Sequence, residues 1–172
     1  MNMKSTLIAF ICLFSTTANA QEKVMPTSQF SVEGKVKNPL LFGFKDASGY
    51  AMVSVDSLVV YNHLHERKRV VNKIRGILLR DILNKAIIDQ PNPKLLSEYY
   101  IVCSASDGYK IVFSWNEIFN TATGEHVLIA TEADGLKGES MADKMLLLSA
   151  MDNNTGRRFV KGLNKVVIER VY

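Results

Sequence analysis

Basic side chains are the residues with the most scope for chemistry in this sequence. Arg157, Arg158 and Lys161 near the C-terminus, Lys73 and Arg75 mid-chain, and the run Arg67-Lys68-Arg69 could each receive an anion. Guanidinium groups suit that task because their planar forks bind oxyanions in bidentate fashion. The same residues are what the solvated surface of any basic protein displays, and Glu66 to Arg69 reads as a charged edge that discourages strand pairing. His63 and His65 stand at i, i+2 and would share one strand face, but two histidines without a third donor rarely close a metal site. They are read as surface residues. No Ser-His-acid grouping and no glycine-rich phosphate loop is discernible.

Thiol chemistry has little to draw on. Of the two cysteines, Cys12 falls in an N-terminal segment with the form of a signal peptide: Lys4, an apolar stretch from Leu7 to Phe14, then Ala18-Asn19-Ala20. Residues 1–20 are therefore expected to be removed before Gln21. No Arg-Arg pair precedes the apolar run, so the expected route is the general one, with the chain crossing unfolded. Phe10 and Ile11 before Cys12 are too large for a lipoprotein signal. Cys103 then stands alone, and Tyr100, Ile101 and Val102 around it favour an inert buried thiol.

Composition frames these candidates. At 172 residues, 47% hydrophobic and 22% charged, the chain has the make-up of one globular domain with a real core. Two cysteines exclude a disulfide scaffold, and no apolar run reaches the roughly 20 residues that span a bilayer. A formal net charge of +4 without a long basic block argues against nucleic-acid binding.

The elements that must position these side chains follow from periodicity. Residues 21–29 are polar and read as a flexible leader to a domain over 30–172. Phe30 to Val36 alternates with period two and reads as a strand, Asn38-Pro39 as a turn, and Leu40 to Phe44 as a second strand. Met52 to Val55 and Leu58 to Tyr61 read as two extended pieces separated by Asp56-Ser57, and Asn62 to Asn72 as a solvated strand or hairpin. Leu78, Leu79, Ile82, Leu83, Ala86 and Ile87 recur at helical spacing, with Pro91 and Pro93 as the stop. Tyr99 to Ala105, apolar at both alternating positions, reads as a strand buried on both faces. Asp107-Gly108 supplies a hairpin turn, and Ser114-Trp115-Asn116-Glu117 a capping box opening a short helix. His126 to Thr131, Met145 to Ala150 and Val166 to Val171 complete the strands.

The order of these pieces resembles the molybdopterin-binding domain of sulfite oxidases and their stand-alone bacterial relatives. The likeness is carried by the opening strand Phe30 to Val36 with Asn38-Pro39, and by Gly76-Ile77-Leu78-Leu79-Arg80-Asp81-Ile82-Leu83. It continues in Ser106-Asp107-Gly108-Tyr109, in His126 to Gly135, and in Asp152 through Val160 on to Glu169. It implies an α+β fold: a mixed, mostly β domain with short flanking helices. It also implies that Arg157 and Arg158, in the closing basic hairpin, are remnants of an anion pocket, with Arg75 as a possible third donor. The family's metal-ligating cysteine sits upstream of the Gly-x-x-Leu-x-Asp helix, and Val59 to Arg75 contains none. Family enzymes that work outside the cytoplasm travel folded, through the twin-arginine route that this sequence lacks.

Together these readings predict a periplasmic or secreted, non-catalytic binding or accessory module with no cofactor and no membrane span after signal cleavage. Its expected partner is a small anion or an exported or membrane-anchored protein, with Arg75, Arg157 and Arg158 as ligand-binding residues. The alternative is a molybdopterin-dependent oxidoreductase or a subunit of one.

Overall fold

The computed structural model describes residues 24–171. The expected signal peptide over 1–20 lies outside the described residues. Of the expected leader over 21–29, residues 24–29 are described: Gln29 opens the first strand, and the residues before it are tied to the domain by hydrogen bonds. The Met25 amide donates to Ser106 Oγ at 2.9 Å, Thr27 Oγ1 donates to the Leu163 carbonyl at 2.6 Å, and Ser28 Oγ donates to Glu139 at 2.6 Å.

Two sheets carry the fold. The first combines β1 (Gln29–Gly34), β2 (Leu40–Gly43), β5 (Tyr99–Ala105), β6 (Lys110–Ser114) and β11 (Leu163–Arg170) in the order β2-β1-β11-β5-β6. Only β1 and β11 run parallel in it. The second is built on β3 (Val53–Tyr61), β4 (Arg67–Leu78), β7 (Val127–Ala133), β9 (Leu146–Ser149) and β10 (Phe159–Val160), in the order β10-β9-β7-β4-β3, with the two-residue β8 (Leu136–Lys137) paired to β7. Helices α1 (Leu79–Ala86) and α2 (Trp115–Phe119) flank them. The domain is thus mostly β with short helices.

The second sheet is the central layer, because it separates two cores. Ile77, Val127, Ile129 and Leu147 face the first core, shared with α1, α2 and the inner face of the first sheet. Leu78, Leu128, Ala130, Leu146 and Leu148 face the second, closed by Leu58, Val60, Val71 and Phe159. Strands β7 and β9 therefore bury both alternating sets of side chains. This corrects the expectation for Tyr99 to Ala105: β5 buries Tyr99, Ile101, Cys103 and Ala105 and leaves the alternate residues partly open. An apolar run has no way to announce which strand will be covered twice.

Three further boundaries differ from expectation. Residues Met52 to Tyr61 do not break at Asp56-Ser57, since β3 pairs with β4 from Val53 to Tyr61 and shifts register only at Val60/Tyr61. Helix α1 stops before the prolines: Ile87 adopts φ +57°, and the amides of Lys37 and Asn38 donate to the carbonyls of Ile87 and Ala86 at 2.8 and 2.9 Å. A loop distant in sequence thus satisfies the helix end. Finally, β1 ends at Gly34, before Lys35 and Val36.

The second sheet also curls. Its terminal strands β10 and β3 lie at opposite ends of the ladder, yet Thr155, just before β10, bridges to β3. Thr155 Oγ1 donates to the Val59 carbonyl at 2.6 Å and accepts from the Tyr61 amide at 3.0 Å. One buried side chain therefore stands where a strand would otherwise satisfy this edge. The sheet closes into an incomplete barrel with a seam.

Candidate functional site

The turn joining β9 to β10 holds the densest polar network of the described residues. It contains one 3-10 turn, Thr155–Arg158, and carries both expected arginines, Arg157 exposed and Arg158 largely covered. Arg158 is bound on three sides. Its Nε and Nη2 each donate to Asp152 at 2.6 Å, and its Nη1 donates to Glu117 Oε1 at 2.8 Å. The guanidinium carbon lies 4.5 Å from the centroid of the Phe113 ring. Asp152 also accepts from the hydroxyl of buried Ser149 at 2.7 Å. Glu117 serves twice, because its other oxygen accepts the Ser114 amide at 2.8 Å while Ser114 Oγ accepts the Glu117 amide at 3.1 Å. The expected capping box is present, and its carboxylate also anchors the closing turn. Burial would raise the Glu117 carboxyl, but the Ser114 amide and the Arg158 guanidinium outweigh it and hold the group below its ordinary 4.5.

Arg157 differs from its neighbour. Its guanidinium is exposed and, among the described residues, has no carboxylate within ion-pairing distance. It opens onto a hollow of about 540 Å³ together with Arg158, Asn153, Asn154 and Thr123. The structure therefore brings Arg157 and Arg158 together but does not bring Arg75 to them. Arg75 is exposed on β4, opposite Ser54 and Glu132 of the neighbouring strands, and does not line this hollow.

The barrel seam forms a second hollow, of about 300 Å³, away from the expected trio of Arg75, Arg157 and Arg158. Lys68 and Arg69 of β4, Lys161 after β10 and Asn62 face it, with Phe159 and Val60 as apolar lining. Arg69 Nη2 lies 3.0 Å from Asp143 Oδ2, and Lys161 Nζ 3.2 Å from Asp143 Oδ1, so two cations share one carboxylate. The Arg69 guanidinium lies 5.2 Å from the Phe159 ring centroid, and its Nε is buried without a hydrogen-bond partner. The signals in the sequence are Lys161 and the Arg67-Lys68-Arg69 run, both possible anion receivers, with Glu66 to Arg69 read first as a charged exposed edge. The connection of the run to Lys161 depends on the curl of the sheet.

His63 and His65 lie in the turn between β3 and β4 rather than on a strand face. Asn62 Oδ1 organises that turn by accepting the Leu64 and Glu66 amides at 3.0 and 2.9 Å. His65 stacks on Tyr61 with ring centroids 4.8 Å apart, and its Nδ1 lies 2.8 Å from Asn154 Oδ1. Among the described residues no group of three His, Cys, Asp or Glu side chains could hold a metal ion.

With this geometry in place, comparison with known proteins adds one finding. No protein-family model matches the chain, and no curated protein matches it. Among solved structures, it is similar to a chain of the sulfane dehydrogenase SoxCD from Paracoccus pantotrophus, with a TM-score of 0.54 and 14% identity. The match covers 83% of this chain and 39% of that one, so this protein spans about two-fifths of its neighbour's length. The likeness is one of fold.

A molybdopterin site of the type the sequence resembles would need a protein thiolate, and the donor set does not fit. Cys103 is the only cysteine among the described residues, sits on the inner face of β5 with 0% exposure, and burial pushes its thiol up to about 12. A thiol so placed is a small apolar core group. Maleimide should label Cys103 only after unfolding, and Cys103→Ala should cost about 1 kcal/mol, the typical loss for a modest core truncation. Rapid labelling of the folded protein would contradict this.

Proposed function

We propose that this chain is an exported, non-catalytic binding module on a molybdopterin-binding fold of the sulfite oxidase type, serving a small anion beside its closing turn. The observation that carries this reading is the placement of Cys103. The lone thiol of the described domain is locked in the core and lines neither hollow, so it cannot present a soft anionic ligand to a metal there. The fold likeness to the sulfane dehydrogenase chain supports the architecture, and the basic residues on the two sides of β10, Arg157 before it and Lys161 after it, support the choice of an anion. Fold alone does not carry activity with it.

A second reading, contact with an exported or membrane-anchored protein, is favoured by the wide 540 Å³ hollow, where Arg158, Asp152 and Glu117 satisfy one another and only Arg157 is left to reach outward. Such an exposed lone cation suits the rim of a protein contact.

Elemental analysis of protein purified from its native host tests the proposal. The expected result is no stoichiometric molybdenum or tungsten and no pterin fluorescence after oxidation. Stoichiometric metal with pterin would overturn it in favour of a molybdopterin-dependent oxidoreductase or a subunit of one.

A further inference from the structure

From the geometry of the barrel seam we infer that its hollow is the anion seat, built for a small organic oxyanion: a carboxylate or sulfonate carried on a single ring or a branched apolar body. This rests on the binding-module reading and goes beyond it in naming a different set of residues and a ligand class.

Charge is the first argument. Lys68, Arg69 and Lys161 converge on the hollow, and two carboxylates answer them. Asp143 is shared between Arg69 and Lys161, so neither cation is fully compensated. The Lys68–Glu66 pair has both side chains 55% exposed and is readily exchanged for another partner. The hollow beside the β9–β10 turn lacks this excess, because its Arg158 is already claimed by Asp152 and Glu117.

The second argument is an unsatisfied donor. Buried polar groups in folded proteins are almost always hydrogen-bonded. Arg69 Nε has no partner although its guanidinium lies at the hollow and is 36% exposed as a side chain. An acceptor brought into the seam meets the exposed part of this guanidinium, whose planar fork matches oxyanions, and a small shift of the side chain would open the buried Nε–H to it. Asn62 adds a neutral polar group at the same place.

Shape supplies the apolar half. Phe159 and Val60 line the hollow, and about 300 Å³ stands at the small end of ligand sites, enough for one ring and its acid group. Gly156 keeps the wall close. A Cβ there would come within 2.5 Å of the Tyr61 carbonyl oxygen, so this backbone approach to the end of β3 requires glycine.

Calorimetric titration with benzoate and benzenesulfonate in low-chloride buffer tests the inference, with benzamide as the neutral isostere. Saturable binding of at least one acid, and none of benzamide, is expected. Lys68→Gln with Lys161→Gln, a pair of partly exposed positions that spares the core, should weaken binding at least tenfold. Arg69→Gln should do the same, with its fold checked by circular dichroism. Arg157→Gln should leave affinity within twofold. Wild-type affinity in the Lys68/Lys161 variant overturns the inference, as does loss of binding on Arg157→Gln alone, which moves the seat to the other hollow and leaves the binding-module reading standing. Absence of saturable binding of both acids by the native protein also overturns it. Metal and pterin content decides the underlying reading separately.

Discussion

Arg158→Gln should destabilise the domain by about 3 kcal/mol, the largest effect expected of any polar side chain near the closing turn. Removing one member of a well-formed buried ion pair typically costs roughly 3–5 kcal/mol, because the remaining charge is left uncompensated. Partial exposure lowers that figure. Here the Asp152 side chain is 12% exposed and that of Arg158 22%, which keeps the cost near the buried limit. Glutamine has two N–H donors on a single nitrogen and a shorter reach, so it cannot reproduce the three donations made at 2.6, 2.6 and 2.8 Å from three nitrogens. For a domain of this size the corresponding fall in melting temperature is about 8 °C. Urea denaturation of the variant measures it directly, and an unchanged midpoint would show the network to be dispensable. Arg158→Lys should fall between the two, since it keeps the charge and loses the fork.

The same network sets a pH signature. Glu117 has a folded-state carboxyl held below its ordinary 4.5, so its contribution is fully present above that pH and is lost as pH falls through the folded value. Wild-type stability should therefore decline on acidification below about 4.5 more steeply than that of Arg158→Gln, which has already lost one of the groups holding Glu117 low. Equal slopes in the two proteins would assign the acid sensitivity to other carboxylates.

What could be read from the sequence follows from how far apart the interacting residues are. The capping box at Ser114–Glu117, the Asp107-Gly108 turn and the apolar face of α1 are local patterns, and each stands in the structure. The partners of Arg158 lie 6 and 41 residues away, and its role as an anchor rather than an open anion donor depends on a packing that no local pattern encodes. Arg75 was grouped with Arg157 and Arg158 by family resemblance, but its place on β4 between Ser54 and Glu132 leaves it outside their hollow. The seam was illegible for the same reason. Lys68 and Arg69 meet Lys161 only because Thr155 draws the β9–β10 turn against β3. Cys103 could be placed in a buried strand from its neighbours, whereas the doubly covered layer of β7 and β9 required the strand order itself.

Gly124→Ala is expected to cost at least about 3 kcal/mol, at or beyond the upper end of ordinary overpacking. Gly124 is buried in the short 3-10 turn that follows α2. A Cβ built there would overlap the Ile118 carbonyl oxygen and come within 2.5 Å of its carbonyl carbon. The obstacle is backbone, so no side-chain rotation relieves it, and Ile118 itself is 0% exposed in the first core. Relief requires α2 to move. Glu117 precedes Ile118 on that helix, so displacement of α2 also pulls its carboxylate from Arg158 Nη1. Disruption at Gly124 and loss of the Arg158 network should then overlap. The Gly124→Ala/Arg158→Gln double variant should be destabilised by less than the sum of the two single changes, by about 1 kcal/mol or more, as expected for sites sharing one network. A thermal or urea double-mutant cycle in which the effects simply add would show that α2 accommodates the methyl group without moving Glu117, and would separate the helix from the anchoring of the closing turn.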